Sequence, residues 1–478
     1  MKAVMSFLSQ EEIERIHEAS VRILKETGIK VYSEKVRRLL ADHGADVTHT
    51  IVRIPVSLIE KAVKQAPEEF TLGARYPKCD LPLPLKRSYP YLSTGGFDPF
   101  VIDFETGEKR YARSSDLKDF AVISDYLDTI DYFWPIVIPG DIAPPLQELY
   151  SLAISLENNR KHIQCSSVTE KTAKWQIMLA SAVAGDEEKL KARPLFSTIN
   201  CPVAPLTFEK GSAEAVVTLA RAGIPIAPMS MVLAGTSGPA TMAGTLAVAN
   251  AEELASLVIV ECANPGAPMI YCSEIAPADM KTGTINYDAP EYPLLSAGSS
   301  QMAKYYGLPS RDCPGKNNLP KEKSSGIASL EDNLFEVPIN LMNLSDLAGS
   351  IGDAKDYNAL AASLIEVILG AETNEHERSY LRRFEINEDT LALEVINKVG
   401  PGGNFLGEDH TIKHFKKEIW TRKTSDTFIL DSSAKGSLHE IARAKVKEIL
   451  AAHKPPPIKE DIHKEMEQIL RDAEKDMI

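Results

Sequence analysis

APMIYCSEIAPADMKTGTINYDAPEYPLLSAGSSQMAKYYGLPSR, residues 267–311, contains one strand–loop–helix–strand unit. Met269, Ile270, Tyr271 and Cys272 form a short apolar run, as in a strand covered on both faces. The run ends on a carboxylate, Glu274. A polar loop follows, rich in Gly and Pro but without a phosphate-binding glycine pattern. A helix is expected over 290–306, and LPSRDC at 308–313 reads as the next strand.

The same unit recurs along the chain. Strands are expected near 90–95, 133–139 (FWPIVIP), 162–168 (HIQCSSV), 195–201 (LFSTINC), 224–233 (IPIAPMSMVL), 268–274, 308–313 and 344–351. Helices are expected over 145–158, 170–184, 209–222, 239–262, 290–306 and 328–343. Repeated βα units of this size imply parallel strands, and eight of them without a dinucleotide fingerprint favour an α/β fold of the (β/α)8 TIM-barrel type. The predicted domains are an α-rich accessory region over 1–88, the barrel over 89–425 and a helical extension over 426–478. In the first, Ser9 and Glu12 form a capping box and Gly28 ends the helix. Glu105-Thr106-Gly107-Glu108 is the expected turn of a hairpin. The tail after the Pro455–Pro457 linker is an amphipathic helix, expected to pack on the barrel or on a second subunit of a homo-oligomer.

Composition narrows the function. The chain has 478 residues and a formal net charge of -14. That balance argues against nucleic acid, whose phosphates require clustered Lys and Arg. There is no apolar run long enough to span a membrane and no signal-peptide pattern, so the expected location is the cytoplasm. None of the six cysteines lies in a CxxC pair, which argues against a disulfide framework.

In a (β/α)8 barrel the carboxyl ends of the strands face the active site. Those ends hold Ser166, Ser167, Thr169, Asn200, Gly235, Thr236, Ser237, Glu274 and Arg311. Glu274 is the candidate catalytic or binding carboxylate, and its long loop is the candidate roof of the pocket. Cys165, Cys201, Cys272 and Cys313 fall on expected strands, as does His162. They suit small core residues better than a zinc site, so no metal is expected. Phe97, Tyr91, Trp134 and Tyr271 are candidates for an aromatic wall against a quaternary ammonium group.

LSQEEIERIHEASVRILKETGI, TGGFDPFVIDFETGEKR, the residue 272–311 block and GPGGNFLGEDHTIKHFKKEIW together resemble the trimethylamine methyltransferase (MttB) superfamily, over most of the chain. The resemblance implies a (β/α)8 barrel that moves a methyl group from an amine to the Co(I) corrinoid of a small partner protein. The founding members carry pyrrolysine at a position that falls near Ser325. No pyrrolysine is written here, so the chain resembles the branch acting on quaternary amines such as glycine betaine, proline betaine and carnitine. Lys316-Asn317-Asn318 and residues 344–357 depart from the family pattern, which points away from glycine betaine itself more than from the reaction class.

For such a reaction Phe97, Tyr91, Trp134 and Tyr271 are the expected substrate-binding aromatics, His162 or Arg311 is expected to hold a substrate carboxylate, and Asn200, Gly235, Thr236 and Ser237 are expected to face the corrinoid. No cofactor is expected to stay bound, because the chain lacks the DxHxxG motif of a cobalamin-carrying domain; the partner supplies the corrinoid. Methyl transfer from R–N(CH3)3+ releases a neutral tertiary amine and calls for neither general acid nor general base. A betaine-binding sensor, an inactive barrel, or a metal-dependent hydrolase or lyase using the strand cysteines are the competing classes.

Overall fold

The computed structural model describes residues 6–287, 289–312, 345–354, 360–381, 384–418, 429–430 and 434–478. Ser325, Cys313 and the helix expected over 328–343 lie outside the described residues.

Eight strands close into a barrel: β1 (Tyr91–Thr94), β2 (Tyr132–Phe133), β3 (His162–Ser166), β4 (Phe196–Asn200), β5 (Ile226–Ser230), β6 (Tyr271–Ser273), β7 (Ser310–Asp312) and β8 (Leu347–Ile351). All neighbours pair in parallel, and β8 returns to β1 through Leu347↔Tyr91 and Ala348↔Leu92. The eight strands fall where the sequence places them. β2 is the shortest, because Pro135 and Pro139 have no N–H to give a ladder.

Helices Gln147–Asn158, Glu170–Ala184, Lys210–Arg221, Met242–Ala263 and Glu291–Tyr305 form the outer layer. Met242–Ala263 is buried along most of its length. The strands cover its inner side, and helices Gln10–Arg22 and Val56–Gln65 its outer side. The Ser20 hydroxyl donates to the Ala247 carbonyl at 2.9 Å across that second contact. The Ser9–Glu12 capping box is present, and Gly28 closes the helix at φ 78°.

The amino-terminal region carries three helices, and also a small sheet in which Ile29–Val31 lies between Ile51–Arg53 and Thr207–Phe208. Three-residue strands show no alternation long enough to read, so the sheet was invisible to periodicity. A second hairpin, Phe70–Leu72 with Leu81–Leu83, packs Leu72, Leu81 and Leu83 into one cluster with Tyr91, Tyr132 and Leu347. It plugs the amino end of the barrel.

The last helix, Glu460–Met477, lies on Glu170–Ala184. Asp476 there receives Lys171 Nζ at 3.1 Å and Trp175 Nε1 at 3.1 Å. No described helix is long and apolar enough to cross a membrane.

Candidate active site

Side chains alternate along each barrel strand, so every second residue reaches the interior. On β6, Tyr271 points outward: its hydroxyl donates to Asn250 Oδ1 at 3.0 Å, and its ring stacks on Tyr306. Cys272 points inward, Ser273 outward to Ser299, and Glu274 inward at the carboxyl end. On β7, Arg311 points inward, while Asp312 accepts from Ser296 and Ser300 on the helix behind it.

Glu274 is 9% exposed. Its N–H donates to the Ser230 carbonyl at 2.9 Å, which fixes the strand end. Its Oε1 accepts from the Tyr287 hydroxyl at 2.7 Å. The loop after β6 therefore folds back over the acid: Ala276–Pro277 pairs with Leu233–Ala234, and Ala278 bridges to Ile285. Cys201, one residue beyond β4, is exposed at the mouth. The surrounding walls nonetheless desolvate its thiol and push it up to about 12, with the Glu274 charge adding to the shift and Arg311 opposing it.

Arg311 is 1% exposed. Its guanidinium carbon lies 4.5 Å from the centre of the Trp134 ring, and its Nε donates to the Tyr132 hydroxyl at 3.3 Å. Nη1 lies 3.9 Å from both Met229 Sδ and Cys272 Sγ. Two glycines make room for this stack. A Cβ at Gly349 would stand 2.5 Å from Arg311 Nη2, and one at Gly96 would stand 2.2 Å from the Trp134 ring. Phe97 follows Gly96 at φ 71°, a left-handed backbone that costs a bulky residue energy and marks a constrained position. Its ring meets Trp134 edge-on, with centroids 5.1 Å apart at 86°. The structure therefore brings Arg311, Trp134 and Phe97 together in the interior and mouth of the barrel, with Glu274 just past the end of the strand that pairs with that of Arg311.

The other candidates lie elsewhere. Tyr91 opens β1 at the amino end, under the Arg87 guanidinium at 4.4 Å. His162 opens β3 at the same end and is fully buried. Its Nδ1 lies 2.7 Å from the Gly73 carbonyl, which can only accept, so Nδ1 carries the proton and Nε2 accepts from Ser197 Oγ at 2.9 Å. Burial lowers its pKa to about 4, which keeps the ring neutral near pH 7. Tyr271 faces the helix layer.

Asn200 Nδ2 donates to the Ser167 carbonyl at 2.7 Å, and its side chain lies in a crevice with Phe208 and Ser212. Gly235 (φ 96°), Thr236 and Ser237 form a tight turn on the carboxyl-end rim, where the Leu233 N–H donates to Ser237 Oγ at 2.8 Å. Among the described residues, Cys165, Cys201 and Cys272 join no cluster of three or more potential metal ligands.

Tyr287 counts among the aromatics of the sequence and Cys201 among its strand cysteines, but neither was tied to Glu274. Tyr287 sits in a loop without periodicity, and nothing in its spacing ties it to Glu274. Beside the mouth, a groove of about 390 Å³ runs from Phe97 past Glu148 and Cys165 to Met477. The Glu148 carboxylate in it accepts from Ser166 Oγ at 2.7 Å and the Val168 N–H at 3.0 Å.

The fold has solved counterparts. The crystal structure of the hydroxylamine MtmB complex superposes with a TM-score of 0.52 at 10% identity, covering 100% of this chain and 89% of that one. The Methanosarcina barkeri monomethylamine methyltransferase (MtmB) gives 0.51, also at 10%. At that identity the likeness concerns the fold alone. In sequence, trimethylamine methyltransferase MttB of Desulfitobacterium hafniense (strain DSM 10664 / DCB-2) is 30% identical over 98% of this chain and 93% of its own length. Glycine betaine methyltransferase of D. hafniense (strain Y51) is 29% identical over 99% and 98%. Trimethylamine methyltransferase MttB of Methanosarcina barkeri is 29% identical over 98% and 96%. The trimethylamine methyltransferase (MTTB) family matches residues 1–477. The chain belongs to that family and is a methyltransferase.

Proposed function

We propose that this enzyme transfers a methyl group from a zwitterionic quaternary amine, a betaine, to the Co(I) corrinoid of a partner protein. The observation that carries the reading is the order of charges in the barrel. Arg311 pairs in register with Cys272, and Glu274 lies two residues farther toward the mouth, just past the end of the strand that carries Cys272. A cation therefore sits one layer below an anion. A betaine complements that order, with its carboxylate inward on Arg311 and its ammonium outward beside Glu274 and Phe97.

The carboxylate of Glu274 is nearly buried, and its described hydrogen-bond partner, the Tyr287 hydroxyl, is neutral. A buried charge gains from a permanent cation beside it. The Phe97 ring offers its quadrupole to the same cation. Choline carries no carboxylate for Arg311, and trimethylamine carries neither a carboxylate nor a fixed charge. The relatives named for trimethylamine share the family, but the family's pyrrolysine position falls near Ser325, an ordinary residue.

The work left to this chain is positional. Its residues hold the ammonium, aim one methyl out of the mouth and keep water away; placement of this kind is worth ~7–11 kcal/mol of barrier. No proton need move, because the departing tertiary amine is neutral. The corrinoid, when docked, supplies the Co(I) nucleophile that accepts the methyl group. On this reading the Gly235–Ser237 turn on the rim is where the partner would dock.

Mixing the enzyme with reduced corrinoid protein and candidate amines, and following the corrinoid visible spectrum, tests the reading. Methylation with a betaine supports it. Methylation with choline but no betaine overturns the charge-order argument.

A further inference from the structure

His410 and His414 lie four residues apart on the helix Asp409–Glu418, a spacing that puts both imidazoles on one face, one turn apart. Their ring centroids are 4.3 Å apart. Asp389 faces them from the short helix Glu388–Leu391, whose N-cap Asn387 accepts from the Thr390 N–H at 3.0 Å. One ligand atom from each of the three residues lies within 4.8 Å of the other two. His414 Nε2 is 3.2 Å from Asp389 Oδ2, and Lys413 Nζ is 2.7 Å from that same oxygen. His410 Nε2 lies 2.9 Å from the Asp389 backbone carbonyl.

Three side chains that can each give a ligand atom thus converge on one point, and a lysine ammonium occupies the anionic corner. The Lys413 side chain is 61% exposed, so it can swing into solvent without breaking a packed contact. We propose that Asp389, His410 and His414 form a zinc-type divalent metal site, at whose carboxylate Lys413 competes with the ion.

The ligand chemistry selects the metal. Two imidazoles and one carboxylate suit Zn2+ and its first-row neighbours, whereas Ca2+ and Mg2+ prefer shells of oxygen. A tetrahedral ion holds such ligands at ~2.0–2.1 Å, which draws the donor atoms to ~3.3 Å of one another. Rotation of exposed or half-buried side chains covers that difference. Three protein ligands leave one position for water. The ion would clamp residues 387–391 to the helix Asp409–Glu418 across the loop holding Gly400, Gly402, Gly403 and Gly407. That loop carries Phe405 and Leu406, both exposed apolar residues. The site stands apart from the barrel interior and does not depend on the substrate reading.

The test uses full-length protein freed of metal with a chelator and dialysed against Zn2+, with Co2+ as a spectroscopic stand-in. The expected result is one equivalent of Zn2+ per chain. Co2+ should give the intense visible absorption of a low-coordinate site, bleached by added Zn2+. His414→Ala and His410→Gln should each weaken binding more than ~tenfold, since even outer partners of metal ligands cost that much. Lys413→Met should tighten binding, because a competing charge is removed. Cys201→Ser should leave the stoichiometry at one, which separates this site from the barrel thiols. Less than one equivalent in the parent chain, equal binding in parent and His414→Ala, or unchanged binding in Lys413→Met would each overturn the proposal.

Discussion

The guanidinium carbon of Arg311 lies 4.5 Å from the centre of the Trp134 ring in the interior of the barrel. A desolvated contact of this type is worth ~2 kcal/mol. One aromatic face of the ring is taken by the protein's own cation, so on the proposed reading Trp134 positions Arg311 and the substrate ammonium is left to Phe97 and Glu274. Gly349 and Gly96 allow the close approach on either side.

Arg311→Met should weaken binding of a carboxylate-bearing betaine by ~1.5–3 kcal/mol, the worth of hydrogen bonds to a charged group. Choline should be affected far less. Calorimetry with the two ligands checks this. Equal losses would mean that Arg311 only supports the barrel.

Glu274→Gln keeps an acceptor for the Tyr287 hydroxyl but removes the charge. The expected cost is ~2 kcal/mol in kcat/KM, about thirtyfold, with little change in thermal midpoint. A lowered midpoint with an unchanged rate would assign Glu274 to structure.

Phe97→Leu should cost a betaine ~1–2 kcal/mol of binding, because leucine keeps the apolar volume and loses the ring quadrupole. An isosteric neutral analogue, with carbon in place of nitrogen, should lose much less. Equal losses would reduce Phe97 to packing.

His162 gives a pH signature. Its folded pKa is about 4 against an ordinary 6.5, so the unfolded chain binds the extra proton between those values. Its contribution is present in full above pH 6.5 and is lost as the pH falls toward 4, by ~3 kcal/mol in total. His162→Gln should flatten the stability profile in that window. An unchanged slope on urea denaturation at a series of pH values would contradict the assignment.

The barrel was legible because each strand is a separate apolar run, bounded by turns and followed by a helix. Which face each residue takes was not. An all-apolar strand such as Met269–Cys272 shows no polar alternation, so Tyr271 and Cys272 look equally able to face inward. Only pairing with Asn250 and Tyr306 sends Tyr271 outward. Glu274 stood out because a lone acid ending an apolar strand is rare. His162 lies at the start of its strand, the end away from the mouth, and its partners Gly73 and Ser197 are 89 and 35 residues distant. Contacts of that range leave no local pattern. The Asp389–His410–His414 group was hidden for the same reason: the histidine pair is local, but its third member lies across a glycine-rich loop.

The most direct test of the central claim is the rate of corrinoid methylation by this enzyme with proline betaine, carnitine and glycine betaine, set against trimethylamine under identical conditions. The account predicts that at least one betaine outpaces trimethylamine by ~tenfold or more, the ~1.4 kcal/mol that a single well-placed charge contact exceeds. Trimethylamine turnover equal to or faster than that of every betaine would contradict it.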